Sequence, residues 1–156
     1  MTMRAALFLI VTATAGCSQD PPPVLARAER GNLVFDVPST GKPEGDCLTR
    51  IAVFVEDNAD LAMPEPSDDR EAVEDGLYWR AVGETEVQCI GSLPLRYDST
   101  VKGSTIVRAK PLRAGTAYVV ALREGSTRSL TGRFRITPDK RVENLPKQQV
   151  IAPDAR

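Results

Sequence analysis

Eight short runs dominated by Val, Ile, Thr and aromatic residues recur along the middle of this chain, with turn signals between them. They are Leu33–Val37, Leu48–Val55, Leu77–Val82, Glu86–Ile90, Leu93–Tyr97, Thr105–Ala109, Ala117–Arg123 and Leu130–Ile136. Such runs suit a pleated, half-buried surface. Several alternate: Phe134 and Ile136 share one strand face, and Arg133 and Arg135 share the other. The stretches between them carry Ser39-Thr40-Gly41-Lys42-Pro43, Lys102-Gly103, Ala114-Gly115 and Glu124-Gly125-Ser126, all turn chemistry. Many short strands and almost no helical period define an all-β chain, and an antiparallel β-sandwich is the expected architecture. With 156 residues, 42% of them hydrophobic, there is material for one domain.

One local motif sharpens the expectation. Leu112-Arg-Ala-Gly115-Thr116-Ala-Tyr118, followed by Val-Val-Ala-Leu, resembles the E–F corner of fibronectin type III and immunoglobulin-like domains. The resemblance implies that the Tyr118 hydroxyl ties back to the corner backbone. Ala114 stands where the family has Pro, and the lone Trp79 comes later than the family's second-strand Trp. The domain is expected over residues 31–137, with 138–156 as a flexible tail.

The N-terminus reads as an address. Residues 1–19 contain no acid and a single base, Arg4, followed by the apolar stretch from Ala5 to Ala15. That stretch has the length of a signal-peptide core and is too short to span a bilayer. Thr14-Ala15-Gly16-Cys17 resembles the lipobox of bacterial lipoproteins, with Thr14 where Leu is usual. The resemblance implies removal of residues 1–16, acylation of Cys17, and attachment to the membrane through the N-terminal lipid. Ser18, rather than Asp, after the Cys implies the outer membrane, facing the periplasm. Residues 17–30, with Pro21 to Pro23, are expected to form a disordered stalk. Cys47 and Cys89 then remain, and an even remainder in an exported protein points to one disulfide.

Charge is polarised along the chain. From Glu56 to Asp75 nine carboxylates meet one base, Arg70, whereas from Arg96 to Arg141 eleven bases meet three acids. Two uses can be drawn from this. The acidic stretch could bind calcium or a basic partner, though it lacks the ligand spacing of an EF-hand. Arg108, Lys110, Arg123, Arg133 and Arg135 could form a face for anionic ligands. The plainer alternative is that the acidic stretch neutralises the basic face. Trp79 is expected in the core; its neighbour Tyr78, pointing the other way, would then be exposed.

The absence of His excludes Ser-His-Asp and Cys-His catalysis and His-ligated zinc. No nucleophile elbow, Ser-x-x-Lys pair or Gly-rich phosphate loop occurs. A net charge of -1 and few aromatics argue against nucleic acid. No enzyme activity, cofactor or metal is expected. The leading expectation is a non-enzymatic envelope lipoprotein that presents a β-sandwich as a structural, adaptor or binding module to an envelope protein or glycan. The alternative is a small ligand-binding or inhibitor lipoprotein aimed at an anionic glycan or at a basic enzyme such as lysozyme. A hydrolase built on paired carboxylates ranks third.

Overall fold

A computed structural model describes residues 21–38, 47–56, 76–85, 87–99, 104–126 and 128–147. Cys17 and the acidic stretch beyond Glu56 lie outside them, and so do the acylation and calcium expectations. The described residues form nine strands: β1 Leu25–Glu29, β2 Asn32–Asp36, β3 Leu48–Val55, β4 Leu77–Val82, β5 Leu95–Arg96, β6 Ser104–Val107, β7 Ala117–Glu124, β8 Arg128–Ile136 and β9 Val142–Leu145. Every pairing is antiparallel, in one sheet of order β1-β2-β5 and a larger one of order β6-β4-β3-β7-β8-β9. The two sheets pack face to face, so the expected all-β sandwich is the fold.

The core lies between the sheets. Phe35, Ile51, Val53, Trp79, Tyr118, Val120, Leu122, Leu130 and Phe134 are all buried there. The aromatic rings run in a chain: Trp79 meets Tyr97 edge-on at 5.3 Å, Phe35 meets Phe134 at 5.6 Å, and Tyr118 stacks on Phe134 at 5.5 Å. Such contacts add to the stabilisation from burial, each by about 1 kcal/mol. The Arg113 amide donates to the Tyr118 hydroxyl at 2.7 Å, so the corner expected from Leu112–Tyr118 is formed. Gly115, at φ +81°, supplies the left-handed turn that the corner needs.

Cys47 and Cys89 are joined, with Cα atoms 5.1 Å apart. They flank strands rather than lie in them: Cys47 immediately precedes β3, and Cys89 sits in the β4–β5 connection. There the Leu48 amide donates to Gly91 and the Ile90 amide to Leu48, an isolated bridge in place of the strand expected over Glu86–Ile90.

Three further expectations are corrected. The stalk does not extend to residue 30, because Val24 and Ala26 are buried and Leu25–Glu29 pairs along its whole length with β2. The tail does not begin at 138, because Val142–Leu145 pairs with β8. Tyr78 is not exposed: it is as much a core residue as Trp79. The register between β3 and β4 shifts at Val53/Phe54, so Leu77 opposes Phe54, Trp79 opposes Val53, and Tyr78 is the extra residue of a bulge. A bulge breaks strict alternation, which lets two consecutive side chains turn inward.

Candidate functional site

A concavity among the described residues lies where the chain enters and leaves the sandwich. Pro23, Val24 and Leu25 form one wall of a groove of about 500 Å³; Leu145, Pro146 and Lys147, at the end of β9, form another. Val119 of β7, Thr131 to Arg133 of β8, and Glu56 after β3 complete it. The lining is mostly apolar, with one ion pair.

Backbone chemistry positions these walls. The Val24 amide donates to the Thr131 carbonyl at 3.0 Å, which brings the chain directly over Gly132. A Cβ at Gly132 would lie 1.9 Å from the Val24 carbonyl oxygen, so this approach requires glycine. Two residues on, the Asn144 side chain accepts from the Ala26 amide at 2.7 Å and donates to the Ala26 carbonyl at 2.8 Å. A side-chain amide thereby makes the two bonds that a neighbouring strand would make, and it joins the edge of the small sheet to the edge of the large one. At the rim, the Lys147 ammonium donates to the Pro21 carbonyl at 3.1 Å.

Arg133 reaches this groove from β8. Its guanidinium donates to the Glu56 carboxylate and to the Pro146 carbonyl. Its Nε is buried and has no hydrogen-bond partner among the described residues. The pair is only about a fifth exposed, at 21% for Arg133 and 17% for Glu56. That nitrogen is enclosed by protein and does not open into the groove, so what the groove offers a ligand is its apolar lining around the ion pair.

The five basic residues singled out from sequence are not gathered into one patch. Arg133 and Arg135 share the outer face of β8, but Arg135 is paired with Glu143 at 2.7 Å. Arg123 stands further along the same face, on β7, with its guanidinium on the Ser126 carbonyl. Arg108 and Lys110 follow β6, four strands across from β8, a separation of about 19 Å. The Lys110 ammonium lies 5.9 Å from the centre of the Tyr78 ring.

Sequence reading missed Arg50. In the β3–β7 register it stands directly opposite Arg123 on the outer face of the large sheet. Its outward direction could be read from alternation with Ile51 and Val53, but its partner could not, because that depends on register. Arg80, also missed, is fully buried on this outer face beside Ala52, Leu77 and Val107.

Comparison with protein-family models, with curated proteins and with solved structures finds no match to this chain.

Proposed function

We propose that this chain is an exported, lipid-anchored protein with an immunoglobulin- and fibronectin type III-like sandwich that acts as a non-enzymatic adaptor or binding module of the cell envelope. In this reading the lipobox-like Thr14–Cys17 supplies the anchor, and the Tyr118 corner and the sheet order support the family likeness. The groove between Pro23–Leu25 and Leu145–Lys147 takes the partner.

One observation carries the binding role: the groove is lined mostly by apolar residues around the half-buried Arg133–Glu56 pair. An apolar segment of an envelope protein would fill the groove and pack over that pair. Removing the apolar lining of the groove from water would favour that contact.

The test is a pull-down from membrane fractions with the lipidated protein, its Cys17→Ala form, a groove variant Leu145→Asn, and Val87→Ser on an exposed loop. A specific partner should co-purify with the lipidated protein and with Val87→Ser and be lost with Leu145→Asn. Recovery indifferent to Leu145 would remove the groove from the reading. The alternative of a small ligand-binding lipoprotein for an anionic glycan keeps one observation in its favour, the opposed pair Arg50 and Arg123.

A further inference from the structure

Two arginines placed directly opposite each other on adjacent strands repel, and a sheet gains nothing from that arrangement by itself. Arg50 of β3 and Arg123 of β7 are such a pair. The register shifts between Leu48 and Arg50, leaving Thr49 as the extra residue of a bulge. The Thr49 hydroxyl donates to the Gly125 carbonyl at 2.9 Å and fixes the bulge against the β7–β8 turn. Arg50 and Arg123 are both half-buried, and among the described residues neither guanidinium meets a carboxylate. The third residue of the row is Ser129 of β8, exposed, with a hydroxyl to offer.

From this geometry we infer that Arg50 and Arg123 form an anion site for a phosphate group, and that its source is the headgroup of an anionic lipid at the surface to which the chain is tethered. Guanidinium groups bind phosphate oxygens through two parallel N–H donors, and two of them side by side match the charge of a phosphodiester and its neighbour. The lipid source rests on the lipoprotein reading above and on where the chain enters the sandwich. Val24 is bonded at Thr131 and Ala26 at Asn144, which opposes Phe134. Followed backwards, β1 therefore leads toward the end of the sandwich that carries Ser129 and the β7–β8 turn, the same end as Arg50 and Arg123. Cys17 precedes Val24 by seven residues, a reach of at most about 25 Å. A tether that short holds this end of the domain near the headgroups and raises the local concentration of phosphate around the two arginines.

The test uses the mature chain, residues 17–156, with Cys17→Ser; it has neither the apolar Ala5–Ala15 segment nor a residue to acylate, so sedimentation with vesicles reports the arginines. Phosphatidylcholine vesicles with and without phosphatidylglycerol are compared at low ionic strength. Arg50→Gln and Arg123→Gln should each lower partitioning onto the anionic vesicles by about fivefold, the contribution of one basic side chain near such a surface. Arg30→Gln, in the β1–β2 turn at the opposite end, removes the same charge and should change it little. An equal loss with Arg30→Gln, or no loss with Arg50→Gln and Arg123→Gln, overturns the site. Inorganic phosphate, titrated against the arginine side-chain resonances, separates the sources: response to it without vesicle binding overturns the lipid assignment. Acylation of Cys17, read separately by mass spectrometry, tests the anchor without touching the arginines.

Discussion

Replacing Gly132 with Ala tests whether the N-terminal segment is a structural part of the sandwich. The added methyl would sit 1.9 Å from the Val24 carbonyl oxygen and 2.8 Å from its carbon. Both are backbone atoms, so no side-chain rotation relieves the contact. The start of β1 must move off β8. Two terms are then lost: the Val24–Thr131 hydrogen bond, worth about 1 kcal/mol, and the burial of Val24, worth about 1.5 kcal/mol. The sum, about 2.5 kcal/mol, corresponds to a melting temperature lowered by roughly 10 °C for a domain of this size. Urea unfolding followed by tryptophan fluorescence measures the cost, because Trp79 lies in the core. Amide exchange locates it: Val24 and Ala26 should lose protection while Val120 and Leu122 keep theirs. A change in stability within about 0.5 kcal/mol, the range of an ordinary surface substitution, would refute the reasoning. So would a loss spread evenly over all strands.

Asn144→Ala removes both side-chain bonds to Ala26 and should cost about 1–2 kcal/mol, with faster exchange of the Ala26 amide as its local signature. Reduction of Cys47–Cys89, which spans 42 residues, should cost about 4 kcal/mol in the chain-entropy account, seen by comparing unfolding with and without reductant. Burial pushes the Tyr97 hydroxyl well above its usual range, and it pushes Tyr118 up as well. A phenol whose folded pKa lies above its unfolded value of about 10 leaves stability intact below pH 10, and that stability falls as the pH rises further. Tyr97→Phe should therefore flatten the alkaline limb of a stability–pH profile; an unchanged limb would assign it to other groups. Tyr118→Phe takes the acceptor from the Arg113 amide and should cost about 1 kcal/mol by urea unfolding, with little change in the near-ultraviolet signature of the core.

Local composition alone determined the strands that carry the core. Leu48–Val55 and Leu77–Val82 stand out as runs of β-branched and aromatic residues, because a buried strand must bring its own apolar side chains. Leu112–Tyr118 announced its corner for a similar reason, since glycine and tyrosine five residues or fewer from the bonded amide are enough to make it. Elements held by distant partners left no such trace. β1 reads Leu-Ala-Arg-Ala-Glu and is mostly exposed; β9 reads Val-Glu-Asn-Leu and has no fully buried residue. What makes them strands is β2 and β8 beside them and the Asn144–Ala26 bonds between them. Two of the bulges were equally silent. At Tyr78 one places a second aromatic in the core, and at Thr49 the other lies beside the arginine that faces Arg123. Alternation states which way a side chain would point in an unbroken strand. Only the pairing of strands far apart in the chain decides where alternation breaks and which residues then stand face to face.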